Sequence, residues 1–391
     1  MILLPLCLIF YIYANRPVHW QISVYMKNLS PSPFELKKRD ILNELRAAKK
    51  EILDLTISSP MQIGLSFDIA EDLHYLAENP EWQFSAPDAC GQLYAREAIA
   101  KYAGNDCNDV FVTSSTSEAY SALFRVFCEK GDFILTPNPG YPLIDSIAEL
   151  DGLNTHPYFL KPDFNKNIWE IDLDSLDSIP PNAKILLLIS PHNPTGHTPT
   201  KQEFEHILQF CEKNNLALII DSVFSAYKLN NNYQLSTINY QLNPKIPIFT
   251  LDGLSKSAGL PHIKVAWINA AVPKEQKQHI YDSLEYILDS QLNCSYLSQA
   301  LCARVLPRAS EFQEKVKERL KKNRVFLFDC FPKMGAKIIP SAGGWYQSFY
   351  FPNTNDEELC LKLLKDRQIL THPGYLFDFE EGWLVGSFLY S

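Results

Sequence analysis

Four apolar runs, each followed by an amphipathic stretch or a turn, constrain this chain more than any other feature. They are Val110-Phe-Val-Thr113, Phe133-Ile-Leu-Thr136, Lys184-Ile-Leu-Leu-Leu-Ile189 and Leu216-Ala-Leu-Ile-Ile220. Each is continuous rather than alternating, as expected for a strand buried on both faces. Helical patterns follow the first three, through Glu129, through Leu150 and from Lys201 to Asn214. Strands alternating with helices in this way predict an α/β fold, a mainly parallel sheet with helices on both sides.

Two more apolar runs, Ile246-Pro-Ile-Phe-Thr250 and Val265-Ala-Trp-Ile268, enclose a small-residue loop that carries Lys256 between Ser255 and Ser257. A helical pattern spans Pro273 to Gln291. Ahead of the alternating region lie a helical pattern from Pro33 to Lys50, a short strand Ile52–Ile57, an amphipathic stretch Ile69–Glu78, a turn-rich loop Phe84–Gly91 and a helix through Tyr102. Behind it, a basic amphipathic helix over Glu311–Phe328 opens a separate α+β part. That part continues through Ala336–Ile339, Trp345–Phe351, the helix Asp356–Arg367 and Trp383–Leu389. The 391 residues suit one large or two medium domains. We divide them into 1–25, an apolar extension; 26–63, the first part of a small domain; 64–300, a large domain; and 301–391, the rest of the small domain.

A net charge of -9 and no dense basic patch argue against nucleic acid as a partner. Nine scattered cysteines without a C-x-x-C pair indicate neither a zinc nor any other metal site, and their odd number fits a reducing, cytoplasmic setting. Met1 to Ala14 is almost wholly apolar, yet short for a membrane span and without the basic start and cleavage site of a signal peptide. Met26 reads as the natural start, with the first 25 residues an upstream extension and a short membrane anchor as the alternative.

In an open α/β sheet, ligands bind beyond the carboxyl ends of the strands. The residues that follow each strand are therefore informative. After the first come Ser115, Thr116 and Ser117 at a helix start, which suit a phosphate or serve as a plain cap. After the second comes Tyr141, a ring able to stack on a flat ligand or an ordinary turn residue. After the third comes Asn193 in Ser-Pro-His-Asn-Pro-Thr-Gly, a donor for a phenolate oxygen. After the fourth comes Asp221, able to hold a heterocyclic nitrogen protonated or to cap a turn. After the fifth comes Lys256, and eight residues on Lys264 offers a counter-charge for phosphate. A partly desolvated lysine has a lowered pKa and forms a Schiff base with an aldehyde; otherwise it is a loop lysine reaching solvent. Together these groups describe a site for pyridoxal 5′-phosphate.

The same residues resemble the class I/II aminotransferases, fold-type-I pyridoxal-phosphate enzymes of the aspartate aminotransferase kind. The resemblance rests on Asn193-Pro-Thr-Gly196, Asp221 and Ser255-Lys256 with Gly259. It is supported by Gly91 with Ala95–Ala100, Pro139-Gly-Tyr-Pro142, Gly343-Gly344 and Pro373-Gly374. It implies a large domain with a mostly parallel seven-stranded sheet, a small α+β domain from both chain ends, and a homodimer. It implies an amino group moved from an amino acid or amine to a 2-oxo acid through a Lys256 Schiff base. Asp221 would pair with the ring nitrogen, Asn193 with the ring oxygen, Tyr141 with the ring face, and Ser115, Thr116, Ser117, Ser255 and Lys264 with the phosphate.

Three departures stand out. Phe224 occupies a position where relatives carry a tyrosine. Phe84 and Ser85 stand where a tyrosine often reaches the neighbouring subunit. Val385 or Gly386 stands where an arginine normally clamps the substrate carboxylate, and the chain stops at Ser391 without the usual last helix. Arg367 and His372 are the candidate replacements, and Trp345 and Tyr346 are expected on the substrate side. The missing clamp keeps open a C–S β-lyase or decarboxylase on the same cofactor, and a catalytically weakened homologue.

Overall fold

The apolar runs form strands whose alternate residues feed two different cores. In β6 (Ala183–Ile189), Ile185, Leu187 and Ile189 join one cluster while Leu186 and Leu188 join another. In β7 (Ala217–Asp221), Ile219 faces the first and Leu218 and Ile220 the second. Side chains that point alternately to both faces, all apolar, require helices on both sides. The computed structural model describes residues 52–229, 244–292 and 294–391, within a unit that runs from Glu44 to Ser391. The helix expected over Pro33–Lys50, the extension 1–25 and the Met26 start lie outside the described residues.

The main sheet also contains β2 (Val110–Thr113), β3 (Phe133–Asn138), β4 (Asn154–Asp163), β5 (Ile168–Ile171), β8 (Ile248–Gly253) and β9 (Ala266–Ala271). Its order is β2-β9-β8-β7-β6-β3-β4-β5. β8, β7, β6, β3 and β4 run parallel, and β9 is antiparallel to both its neighbours, so β2 points the same way as the parallel set. The sheet therefore has eight strands rather than seven. The extra one, β5, pairs antiparallel with β4 at the edge. This hairpin escapes the sequence reading because half-exposed edge strands lack a continuous apolar run.

On one face, α3 (Thr116–Phe127) buries Ala119, Leu123 and Phe124, and α7 (Lys274–Gln291) buries Ile280, Leu284 and Leu288. α4 (Leu143–Leu150) adds Ile144 and Ile147. On the other face, α5 (Lys201–Asn214) buries Phe204, Ile207 and Cys211. Each such side chain contributes about 1.5–3 kcal/mol. The start of α5 is written locally: Thr200 Oγ1 accepts from the Glu203 amide at 3.2 Å, and Glu203 accepts from the Thr200 amide at 2.6 Å. Helices α1 (Ala70–Glu78), α2 (Leu93–Ala103) and α8 (Tyr296–Val305) pack beside the β2 edge. α8 escapes the sequence reading, because its apolar residues do not form a narrow stripe.

The C-terminal part opens with α9 (Ala309–Lys333), longer at both ends than expected. β10 (Lys337–Ile338), β11 (Tyr346–Tyr350), β14 (Trp383–Ser387) and β13 (His372–Pro373) form an antiparallel sheet. α10 (Asp356–Arg367) starts on Asn355, which accepts from the Glu357 and Glu358 amides at 3.2 and 3.1 Å. The strand expected over Ile52–Ile57 shrinks to β1 (Leu53–Asp54), which pairs in parallel with β12 (Ile369–Leu370). Ser387 donates to the Leu55 carbonyl at 2.6 Å, so both ends of the described chain meet in this part.

Gly196 ties the two sheets together. Its carbonyl accepts from Ala342 and Gly343 at 2.9 and 3.2 Å. Its φ is +71°, and a Cβ there would lie 2.1 Å from Ser341 Cβ and 2.8 Å from Ser341 Cα. Gly196→Ala is expected to cost about 3 kcal/mol, combining left-handed strain with overpacking against backbone. Urea unfolding measures it; an unchanged midpoint would contradict this packing.

Candidate active site

β2, β3, β6, β7 and β8 run the same way, so their carboxyl ends lie along one edge of the sheet, and a polar residue follows each. Asp221 ends β7 with 8% of its surface exposed. Its Oδ2 accepts from the Tyr120 hydroxyl at 2.6 Å and its Oδ1 from the Val223 amide at 3.1 Å. Burial raises its pKa, opposed by those two hydrogen bonds and by Lys256. Tyr120, buried on α3, is pushed well above the usual phenol range by burial and by Asp221. Tyr120 is absent from the residues that the sequence pointed to. The available signal was its place one turn after Ser115–Ser117, on the α3 face that packs on the sheet.

Lys256 lies in α6 (Leu254–Ser257), directly after β8. Its Nζ donates to the Ser58 carbonyl at 3.3 Å and sits 4.6 Å from the Trp345 ring centroid and 5.6 Å from that of Phe224. Burial lowers its pKa to about 8, with Asp221 pulling the other way. The loop is held firmly. The Tyr227 hydroxyl donates to the Lys256 carbonyl at 2.5 Å, Ser257 Oγ to the Gly253 carbonyl at 2.9 Å, and Gln313 to the Ser257 carbonyl at 2.9 Å. Gly259 is required by close packing, since a Cβ would meet Phe312 at 2.3 Å.

Asn193 follows β6 in a tight loop. The Gly196 amide donates to the His192 carbonyl at 2.7 Å, the His192 amide to the His197 carbonyl at 2.7 Å, and His192 Nδ1 contacts Thr195 Oγ1 at 2.9 Å. Burial lowers the His192 pKa to about 3, helped by His197, so the ring is neutral. The Ser190 amide donates to the Asp221 carbonyl at 2.9 Å, tying this loop to the acid. Asn193 is buried, and its Oδ1 has no partner among the described residues.

Ser115 caps α3, its Oγ accepting from the Glu118 amide at 3.1 Å. Glu118 in turn accepts from the Ser114 amide at 2.6 Å. Thr116 and Ser117 occupy the first turn, where amides lack intrahelical acceptors and the helix dipole is positive. Tyr141 is 40% exposed, and burial of its hydroxyl, with Asp221 nearby, raises its pKa. Ser255 is half-buried beside Lys256, whereas Lys264 is exposed with φ +58° and makes no ion pair among the described residues. Phe224 is buried edge-on to Trp345 and Tyr346, at centroid distances of 5.3 and 6.2 Å. Phe84 is 84% exposed, away from any packed site.

The set of groups suits a flat anionic ring. A buried asparagine whose Oδ1 has no partner among the described residues, a buried acid with a spare oxygen lone pair, a helix start with free amides and a low-pKa lysine lie along one edge of the sheet. Residues 70–385 match the family model described as aminotransferase class I and II. A tyrosine aminotransferase of Dictyostelium discoideum is 27% identical over 84% of this chain and 82% of its own length. One of Caenorhabditis elegans is 26% identical over 74% of this chain, which spans 64% of the nematode protein. Among solved structures, alanine aminotransferase from Pyrococcus furiosus superposes with a TM-score of 0.79 at 20% identity, covering 89% of this chain and 90% of that one.

The lowered Lys256 pKa makes a signed prediction for the cofactor-free protein. Between about pH 8 and pH 10.5 the unfolded state binds the Lys256 proton and the folded state does not. Stability therefore rises with pH across that window. Compared by urea unfolding with Lys256→Met, wild type should gain relative stability from pH 8 to 10.5. A pH-independent difference would mean that Lys256 is solvated normally.

Proposed function

Because this chain belongs to the class I and II aminotransferases, which are pyridoxal-phosphate enzymes, we propose that it transfers an amino group from a donor to a carbonyl acceptor with Lys256 as the catalytic residue. The family implies an amino acid and a 2-oxo acid as the usual pair. The observation that carries this reading is Lys256 itself, a lysine brought to a pKa of about 8 beside the buried Asp221.

Each residue has a physical task. When bound, the cofactor supplies an aldehyde carbon and an electron-withdrawing ring. Lys256 Nζ, its pKa lowered to about 8, sheds its proton far more readily than an ordinary lysine; it would hold the aldehyde and take the proton leaving the substrate carbon. Asp221 keeps a ring nitrogen protonated, and Tyr120 holds that carboxylate in place through its 2.6 Å bond. Asn193 would donate to the ring oxygen through its amide nitrogen, and Tyr141 would cover the ring face. Ser115, Thr116, Ser117 and Ser255 would hold the phosphate, with Lys264 as the candidate counter-charge. Phe224, having no hydroxyl, leaves Asn193 without a second donor at the ring oxygen.

We assign the large and small domains as divided above, since residues 53–55 pair with the C-terminal part. A homodimer is supported by exposed apolar side chains at Phe84, Tyr286 and Leu292, which are 84%, 79% and 81% accessible. A cytoplasmic setting is supported by described cysteines that are all free. Among the described residues, no helix is long and apolar enough to cross a membrane.

Holoprotein mixed with a panel of amino donors should lose its aldehyde-form absorbance and gain that of the amino form. Lys256→Ala should fall by about 1,000-fold or more in rate; pyruvate release without amino transfer would instead mark a lyase. Light scattering should give twice the chain mass of 44.7 kDa, and a 44.7 kDa particle would contradict the dimer.

A further inference from the structure

Lys256 Nζ stands over two aromatic rings, 4.6 Å from the Trp345 centroid and 5.6 Å from that of Phe224. Both distances fall within the roughly 6 Å over which a ring face attracts a cation. The Ser58 carbonyl accepts from the same nitrogen at 3.3 Å. A ring face and a carbonyl oxygen are both electron-rich, so all three groups favour the ammonium over the neutral amine. The seat is rigid on its far side. Gly343 and Gly344 lead into Trp345, and the Gly344 amide donates to the Tyr227 carbonyl at 2.8 Å. Gly344 has φ +84°, and a Cβ on Gly343 would lie 2.6 Å from Pro191. The Trp345 carbonyl accepts from the Phe388 amide at 2.7 Å. The indole is fully buried, edge-on to Phe224 and Tyr227 at centroid distances of 5.3 and 5.0 Å. Its Nε1 has no partner among the described residues, so packing sets the orientation of the ring.

The charges around this nitrogen are few. Burial disfavours its charge, and Asp221 at the end of β7 favours it. Asp252 of β8, its carboxyl pushed well above the usual range by burial, acts on Tyr102 and Tyr227 rather than on Nζ. The phenols of Tyr141 and Tyr346, kept protonated by burial, add no charge. Against burial, the ammonium is therefore supported by one carboxylate, one carbonyl and two ring faces.

We propose that Trp345 and Phe224 are positioning residues that, with the Ser58 carbonyl, form a seat for the charged Lys256 nitrogen, which leaves that seat as it loses its proton. Position and charge are coupled in this arrangement. The ammonium is drawn to the rings, whereas the neutral amine has no such attraction and swings free to meet a carbonyl carbon. The use of the seat in turnover rests on the aminotransferase reading. There, Nζ takes one proton from the substrate carbon and becomes an ammonium, and the rings receive it in that state. Trp345, the nearer ring and the stronger π face, carries the larger share. Phe224 serves here as a ring face, a task that needs no hydroxyl.

Competitive labelling of the full chain, freed of cofactor, with acetic anhydride across pH gives the midpoint at which Lys256 loses its proton. Replacing the Trp345 indole by mono-, di- and tetrafluorinated indoles withdraws charge from the ring face while nearly keeping its shape. The midpoint should fall stepwise along that series, by about half a pH unit or more in total. A flat or rising series overturns the proposal. Trp345→Leu should lower the midpoint at least as far, and an unchanged midpoint there also overturns it. Where that variant fails to fold, the fluorinated series decides. In the holoprotein, the pH profile of kcat should move to lower pH along the same series. A profile that stays in place while the labelling midpoint moves overturns the role in turnover. If no donor is turned over, the aminotransferase reading fails, and the labelling midpoint still decides whether the seat holds the charged lysine.

Discussion

The cleft depends on a carboxylate buried at the end of a strand. Asp221 can stay in that place because Tyr120 and the Val223 amide bond its two oxygens. Its backbone carbonyl also anchors the start of the Asn193 loop through Ser190. Lys256 stands in the field of the same acid. Burial alone would push the lysine further toward the neutral form, and Asp221 restrains that shift. Acid and lysine thus tune each other, and both positions follow from β7 and β8 being adjacent and parallel.

The parallel order explains why Tyr120, Asp221 and Lys256, far apart in sequence, come together. Each strand runs to the same edge, and the residue just past its end faces the cleft. The central strands could be read from sequence because they are buried on both faces and therefore continuously apolar. The β4–β5 hairpin could not, since one exposed side breaks the run. The short strands β10, β12 and β13 carry too few residues for any period to show. Their positions depend on contacts with α9, α10 and each other.

The candidate cofactor residues were legible for a similar reason. Asn193, Asp221 and Lys256 sit at strand ends with distinctive neighbours, where chemistry and spacing both speak. Tyr120 was invisible, because a tyrosine inside a helix reads as ordinary core until the partner across the sheet is known. Tyr227 and Ser58 were likewise hidden, since they act on Lys256 across 29 and 198 residues of sequence. Val385 was visible as a departure, but only strand register shows that Ser348 and His372 flank it. Asn193, Asp221 and Lys256 thus keep the pattern of the resemblance, while Val385 departs from it.

The central claim is that Lys256 is the lysine that binds the cofactor aldehyde. Borohydride reduction of the holoprotein, followed by peptide mass mapping, tests it most directly. The account predicts one cofactor mass fixed to the peptide that contains Lys256, and none in Lys256→Ala. Fixation on Lys264 or another lysine, or no fixation at all, would contradict it.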